Sequence, residues 1–316
     1  MRIVVALGGN ALLAHGLEPT MAHQREAIGA ASTALASVAT EHQLVITHGN
    51  GPQVGLLARQ AAAYDADTDF TLDVLDAESA GMVGYLVEQE VGNRLPAGRG
   101  AVTVLTTTLV ARDDRAFAHP TTFVGPVYDA EQARRLEQYR GWTVRRDGAW
   151  FRRVVPTPAP LAVEPIQPIG VLLDLGYVVI CGAGGGVPVR VGPHGLEGVE
   201  AVVDKDAVSA LIAEQLAADL LVIATDVPGV YEGWGGPAAH QLRLVDLVDL
   251  DLTALDAGSM RPKVEAAGRF ARSGGRAVIG SLPDLEALVA GGAGTQVVDS
   301  SVALRAAADA ARVRHG

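Results

Sequence analysis

The sequence predicts an α/β protein of three layers, in which an open, mainly parallel sheet lies between two layers of helices. Three observations predict this fold class. Short apolar runs alternate with Ala-rich helical stretches along the 316 residues. The runs lack polar alternation, as expected of strands buried on both faces. Glycine-rich turns follow several of these runs, and open sheets of this kind bind ligands at the carboxyl ends of their strands.

The composition excludes several classes of protein. With 49% hydrophobic and 19% charged residues, the chain is globular rather than disordered. A net charge of −11 argues against a nucleic-acid partner, which normally requires a basic face. The single cysteine, Cys181, excludes an internal disulfide and a Cys-rich zinc site. The short apolar run after Met1 is unlike a signal peptide, and no uncharged stretch is long enough to cross a membrane, so we expect a soluble, cytoplasmic protein without a membrane partner.

The first half of the chain predicts a strand at residues 3–7, a helix at 21–41 and a strand at 44–47. A helix starting near Pro52, another at 75–95 and a strand at 101–106 follow. From residue 112 to about 160 aromatic, charged and proline residues cluster, and a turn at Asp147-Gly148 predicts a hairpin of residues 142–146 and 149–155. We interpret 112–160 as an inserted lid subdomain outside the main sheet.

The second half predicts a helix at 166–175, a strand at 177–181 and a helix at 207–217. Next come a strand at 220–224, a helix ending near 272, a strand at 276–279, a helix at 283–289 and a strand at 295–298. We divide the chain into an N-terminal lobe (1–217, carrying the insertion), a C-terminal lobe (218–298) and a tail (299–316).

Three glycine-rich turns follow predicted strands. The first contains Gly8, Gly9 and Asn10, and an ordinary strand-to-helix turn explains it equally well. In the second, Gly49, Asn50 and Gly51 precede a proline that suits the first turn of a helix, where free N–H groups and the helix dipole attract anions. The third spans 182–186 and fails the spacing of the dinucleotide fingerprint, so a nicotinamide oxidoreductase is the weakest hypothesis. We treat His48 as a strand-end residue.

The chain contains only two lysines, Lys205 and Lys263, among 25 basic residues. A GC-rich genome drifting toward arginine explains why lysine is rare, but not where the two lysines remain. Lysine carries a compact charge on a flexible stem, which arginine does not reproduce. Both lysines are therefore candidate site residues. Asp206 lies beside Lys205, where a carboxylate would orient the ammonium and keep it charged.

The strand-end edge thus combines backbone donors, two lysines and aspartates, without a recognisable nucleophile. No nucleophile elbow and no zinc-binding motif occur. Donors and cations without a nucleophile suit phosphoryl transfer, in which a protein positions the reactants and neutralises charge.

Four motifs carry a specific resemblance. They are Leu7-Gly8-Gly9-Asn10-Ala11, the segment from His48 to Gly55, the segment from Gly198 to Asp206, and Gly258-Ser259-Met260-x-Pro262-Lys263-Val264-Glu265-Ala266. In order and spacing they resemble the bacterial carbamate kinases, a group within the amino acid kinase family. The resemblance runs from residue 1 to about 298.

The resemblance implies the reaction ADP + carbamoyl phosphate ⇌ ATP + carbamate, with Mg²⁺ on the nucleotide phosphates and no metal ligand from the protein. Carbamate attacks through an oxygen that is already ionised, so no general base is needed. The resemblance also implies a homodimer, binding of the phosphoryl acceptor by the lobe 1–217 and nucleotide binding by the lobe 218–298. By position, catalysis falls to Lys205, Lys263, Asp206, Asn10, Gly8 and Gly9; substrate binding to Gly49, Asn50 and Gly51; and nucleotide binding to Thr225, Asp226, Tyr231, Met260 and Lys263.

Two residues depart from the family pattern. Thr122 stands where the family carries a lid lysine, and Ala80 where glutamine is usual; Arg112 and Arg115 are candidates to replace the missing charge. These departures leave two alternatives open, namely a kinase of this fold for another small carboxylate or phosphate acceptor, and a non-catalytic nucleotide sensor.

Overall fold

The computed structural model describes residues 1–13, 17–18, 20–64, 70–256 and 259–301, without the side chains of Asn10 and Ala254. The predicted tail (299–316) therefore lies mostly outside the described residues, as does Gly258 of the fourth motif. The helices are α1 (Met21–Glu41), α2 (Gly51–Tyr64), α3 (Leu72–Gly92), α4 (Ala130–Arg140), α5 (Ile166–Asp174), α6 (Lys205–Gln215), α7 (Met260–Arg272) and α8 (Leu285–Ala290).

The strands of the described residues, in chain order, form four sheets. They are β1 (Arg2–Leu7), β2 (Gln43–His48), β3 (Ala101–Thr103), β4 (Thr107–Val110), β5 (Thr122–Tyr128), β6 (Thr143–Asp147), β7 (Trp150–Val155), β8 (Pro160–Glu164), β9 (Val178–Ile180), β10 (Val187–Gly192), β11 (Gly195–Gly198), β12 (Leu220–Thr225), β13 (Tyr231–Glu232), β14 (His240–Gln241), β15 (Leu244–Asp246), β16 (Arg276–Ser281) and β17 (Thr295–Val298).

The central sheet has eight strands in the order β15-β17-β16-β12-β1-β2-β9-β3. Its neighbours are parallel except for the antiparallel pair β16–β17. The predicted fold class is confirmed. The boundary predicted at 217/218 falls between α6 and β12, and both sides of it contribute to this one sheet because β1 pairs with β12.

Two apolar cores cover the two faces of the central sheet. Side chains alternate across a strand, so Ile3, Val5 and Leu7 of β1 join one core, while Val4 and Ala6 join the other. The first core packs against α1, α3 and α8, and the second against α5, α6 and α7. Burial on both faces explains the unbroken apolar runs seen in the sequence.

Smaller sheets lie outside the central one. Strands β5, β7 and β6 form an antiparallel sheet within residues 112–160, in which the predicted hairpin appears as β6 and β7 around Asp147 and Trp150. A four-stranded sheet of order β11-β10-β4-β8 and the pair β13–β14 were not predicted. Helix α4 was not predicted either. Asp129 caps its N-terminus and forms a capping box with Gln132.

Predicted helices and strands of the central fold are confirmed, with shifts at their ends. The largest shifts occur in α3, predicted at 75–95 but found at Leu72–Gly92, and in β3, predicted to end at residue 106 but ending at Thr103. Helix α6 was predicted to begin at Ala207 but begins at Lys205. Asp204 accepts a hydrogen bond from Ala207 N at 2.8 Å and so caps the helix two residues earlier. Lys263 is the fourth residue of α7, and Pro262 precedes it in the first turn of that helix. Among the described residues, no helix combines the length and apolar character needed to span a membrane.

Candidate active site

The strand order brings the predicted turns to one edge. Strands β12, β1, β2 and β9 are consecutive in the sheet, and Leu7 of β1 is in register with both His48 and Ala224. The three glycine-rich turns follow β1, β2 and β9, and Thr225 ends β12. The carboxyl ends of these parallel strands therefore place the turns side by side, as the sequence predicted.

Two helices bring the lysines together at this site. Lys205 and Asp206 occupy the first turn of α6, and α6 packs against α7, which carries Lys263. Lys205 Nζ lies 2.7 Å from Asp206 Oδ1, and Lys263 Nζ lies 3.1 Å from Asp206 Oδ2. Although Lys263 is 57 residues from Asp206 along the chain, the two lysines share one carboxylate.

Charge and burial oppose each other at Asp206. Its side chain is only 5% exposed, and burial by itself disfavours the ionised carboxylate. The positive charges of Lys205 and Lys263 outweigh that cost and hold the pKa of Asp206 below its ordinary value. Burial and the negative charge of Asp206 raise the pKa of neighbouring Asp204. The result is a buried, ionised Asp206 that keeps two ammonium groups close together.

The first turn lies directly against β12. A Cβ on Gly8 would approach Ala224 O to 3.0 Å, whereas one on Gly9 would meet open space. Glycine at position 8 therefore permits the close approach of two strand ends. Residues 9–11 form a single 3₁₀ turn. The backbone of Asn10 belongs to this turn, and its side chain lies outside the described residues.

The second turn starts α2. Asn50 O accepts hydrogen bonds from Gln53 N and Val54 N, both at 2.9 Å, so Asn50 is the residue preceding the helix. Free N–H groups at such a helix start favour anions, as predicted for Gly49 and Gly51.

A polar network around Asn50 was not predicted from the sequence. Asn50 Nδ2 donates to Ser79 Oγ at 2.8 Å and lies 3.3 Å from Asp76 Oδ1, both on α3. Burial raises the pKa of Asp76 to about 7, although the hydrogen bond from Asn50 acts in the opposite direction and Asp73 adds to the increase. The signal in the sequence is a pair of polar residues on the otherwise apolar, buried face of α3.

His48 is buried at the end of β2. Burial lowers its pKa to about 4. The hydrogen bond to Gly49 O acts in the opposite direction, and the positive charge of Lys205 adds to the decrease. The ring is therefore neutral at physiological pH. Its Nδ1 lies 2.9 Å from Gly49 O, so this nitrogen carries the proton. The structure agrees with our treatment of His48 as a strand-end residue.

The predicted nucleotide-binding residues lie on the other side of β1. Thr225 Oγ1 donates to Asp226 Oδ1 at 3.1 Å where β12 ends. Tyr231 lies in β13, and its ring meets Trp234 edge-on with 5.0 Å between centroids. Met260 is the first residue of α7, one turn before Lys263. In the described parts of the chain, hydrogen bonds and ion pairs unite the lysines with Asp206 but do not connect Tyr231 or Met260 to that cluster.

The insertion contacts the segment that leads to Lys205. Arg153 of β7 forms an ion pair with Glu200, and its guanidinium lies 4.1 Å from the ring centroid of Trp142.

The residues that depart from the family pattern lie apart from the lysine cluster in the chain. The hydroxyl of Thr122, which stands where the family carries a lysine, hydrogen-bonds to the hydroxyl of Thr157. Ala80 is buried on α3. Arg115 lies in an exposed 3₁₀ turn at residues 115–118.

Fold and site define a class of phosphotransferase, and comparison with known proteins agrees. A model of the amino acid kinase family matches residues 1–281. The chain belongs to the amino acid kinase family.

Similar proteins with established names include several carbamate kinases. The chain is 49% identical to carbamate kinase of Rhizobium meliloti over 95% of this chain and 94% of the relative. It is 47% identical to carbamate kinase of Haemophilus influenzae, over 94% and 96% of the two chains. The solved structure of Giardia lamblia carbamate kinase bound to AMP-PNP superposes with a TM-score of 0.88 at 34% identity, covering 94% of this chain and 98% of that one. The resemblance inferred from the four motifs is confirmed.

Proposed function

We propose that this chain is a phosphotransferase that converts ADP and carbamoyl phosphate reversibly into ATP and carbamate, which then decomposes to NH₃ and CO₂. The observation that carries the proposal is the buried Lys205–Asp206–Lys263 cluster at the edge where three glycine-rich turns meet. Relatives that cover almost the whole chain and are named carbamate kinase support the choice of acceptor.

The two lysines neutralise the phosphoryl group during transfer. A phosphoryl group in flight spreads negative charge over its three equatorial oxygens, so nearby cations stabilise the transition state more than the ground state. Asp206 contributes indirectly, because its carboxylate holds both ammonium groups in place. Lysine suits this role because its ammonium can follow the moving group.

The glycine turns hold the transferred group and the acceptor. Backbone N–H groups of Gly8, Gly9 and Asn10, and those of Gly49, Asn50 and Gly51 at the start of α2, donate to phosphoryl and carbamate oxygens. The carboxylate of carbamate is ionised and needs no base to attack. The neutral His48, whose Nδ1 is engaged with Gly49 O, is not required as one.

The nucleotide binds beside β12, with Thr225, Asp226, Tyr231 and Met260 against the nucleoside and phosphates and Lys263 reaching between nucleotide and acceptor. Both oxygens of Asp206 already face lysines, so this carboxylate is not available as a metal ligand. The site therefore suits Mg²⁺ that is bound by the nucleotide phosphates. When bound there, Mg²⁺ neutralises phosphate charge and aligns the phosphate chain. We expect the enzyme to act in the cytoplasm and, as the resemblance implies, to form a homodimer.

The direct test is ATP formation from ADP, Mg²⁺ and carbamoyl phosphate. Lys205→Ala and Lys263→Ala should each lower kcat by roughly 10²- to 10³-fold, the usual cost of one transition-state donor. Arg272→Ala is the matched control, because it removes an exposed cation from the same helix as Lys263. Full activity in either lysine variant would refute the mechanism even if the wild type makes ATP.

A second acceptor remains a candidate because of Thr122 and Ala80. A panel of acyl phosphates tests this alternative: it predicts no ATP from carbamoyl phosphate and turnover with another member. A nucleotide sensor would instead bind ATP in a calorimeter and turn over no acceptor. The buried lysine cluster disfavours a sensor, since two ammonium groups aimed at one site serve transfer rather than binding alone.

A further inference from the structure

Two residues of α3 determine the orientation of the Asn50 side chain. Asn50, Asp76 and Ser79 are all nearly inaccessible to solvent, with exposures of 5%, 5% and 0%. Ser79 Oγ donates its single proton to Asp76 O at 2.9 Å. The amide atom of Asn50 that lies 2.8 Å from Ser79 Oγ must therefore be a donor, which identifies it as Nδ2.

Both hydrogens of this Nδ2 are directed to α3. One goes to Ser79 Oγ, and the second faces Asp76 Oδ1 at 3.3 Å. The amide oxygen Oδ1 then points away from the helix. Within the part of the chain that the structure describes, no hydrogen bond reaches Asn50 Oδ1.

The Asn50 amide packs against the third glycine-rich turn. A Cβ on Gly184 would clash with the whole amide, at 2.1 Å from Oδ1 and 2.4 Å from both Cγ and Nδ2. Gly184 has φ +61°, a conformation that glycine adopts without strain. Oδ1 thus lies between the second and third turns, at the edge where β2 and β9 end. Both oxygens of Asp206 face lysines, whereas Asn50 Oδ1 has no partner among the described residues and would be satisfied by a substrate that carries a donor.

We propose that Asp76 and Ser79 are positioning residues that present Asn50 Oδ1 as an acceptor for the amino N–H of the acyl substrate. The inference rests on the proposed function and deepens it. A carbamoyl group satisfies Oδ1, whereas the methyl of an acetyl group leaves it unpaired once the site is filled. A site built around such a hydrogen bond rejects the analogue that lacks the donor. Asn50 then distinguishes carbamate from other small carboxylates.

The test compares ATP formation from carbamoyl phosphate and from acetyl phosphate at pH 8. Asp76→Leu combined with Ser79→Ala removes both acceptors for Nδ2 and lets the amide rotate. The ratio of the two kcat/KM values should fall by roughly 10- to 100-fold, mostly through a higher KM for carbamoyl phosphate. Asp76→Asn keeps an acceptor oxygen and should keep the ratio. Asp73→Asn, on the same helix, is the matched control. Equal losses for both substrates, or an unchanged ratio, would overturn the proposal.

A second measurement does not depend on catalysis. The chain has three asparagines, Asn10, Asn50 and Asn93, so selective ¹⁵N labelling of asparagine side chains yields three pairs of amide signals. Asn50→Asp assigns one pair. That pair should exchange slowly with water in the wild type and rapidly in the double variant. Rapid exchange in the wild type would overturn the orientation, whereas a wild type that makes no ATP from carbamoyl phosphate would refute the proposed function instead.

Discussion

Asp206 and Asp76 are buried almost equally, at 4% and 5% exposure, yet their pKa values move in opposite directions. Burial disfavours both carboxylates. At Asp206 two lysine ammonium groups outweigh it and the pKa falls. At Asp76 the partners are the neutral amide of Asn50 and the nearby negative charge of Asp73, and the pKa rises to about 7.

The difference shows that neighbouring charge, not depth, decides which buried carboxylate stays ionised. It also divides the site by chemistry. Around Asp206 the site is cationic and suits a phosphoryl group. Around Asp76 the contacts are hydrogen bonds with Asn50 and Ser79 rather than ion pairs with lysine, which suits the recognition of an uncharged amino group.

Removing both cations should make Asp206 behave like Asp76. In Lys205→Met with Lys263→Met the carboxylate loses its partners, and breaking a buried ion pair typically costs roughly 3–5 kcal/mol of unfolding free energy. We expect a larger loss at pH 8 than at pH 5, because the uncompensated charge is absent once Asp206 is protonated. Urea unfolding at the two pH values measures it, with Arg272→Met as control. An equal loss at both pH values would contradict the comparison.

Removing the charge of Asp76 should stabilise the protein at high pH. Its folded pKa of about 7 lies above the ordinary 3.8, so its contribution favours the folded state below pH 3.8 and is lost as the pH rises to about 7. Asp76→Asn should therefore raise the unfolding free energy by up to about 4 kcal/mol at pH 8 and change little at pH 4. Urea titrations of this variant and of Asp73→Asn test it. A gain that is independent of pH would show that charge is not the cause.

One buried hydrogen bond links the two regions and should have the smallest effect. Thr47 precedes the turn of Asn50, and its Oγ1 lies 2.6 Å from Ser209 Oγ, which donates to Lys205 O at 2.7 Å. Ser209→Ala leaves the Thr47 hydroxyl buried without its partner, at a cost of roughly 1–3 kcal/mol. The double variant with Thr47→Val should cost less than the two single changes added together. Additive costs would mean that the hydroxyls do not interact.

Sequence reasoning predicted the central sheet because its physical cause is local. Strands covered on both faces must be apolar throughout, so the runs ending at Leu7 and Ala224 are recognisable in the sequence alone. The small sheet of β4, β8, β10 and β11 was missed because its strands are partly exposed and therefore lack the unbroken apolar runs of the central sheet. The start of α6 was misplaced because its cap, Asp204, follows an apolar run without a turn that would mark the helix start.

The sequence by itself determined the fold class, the positions of the three glycine turns and the candidacy of Lys205 and Lys263. The rarity of lysine and the order of the short motifs are properties of the sequence, so they can be recognised without a three-dimensional structure. The resemblance implied that Asp206 organises the two lysines, but only the tertiary structure showed the contacts of both with its carboxylate and the orientation of the Asn50 amide by α3. Apart from the adjacent pair Lys205 and Asp206, these contacts join residues that are 26 to 57 positions apart, and a hydrogen bond or ion pair depends on distance in space rather than along the chain.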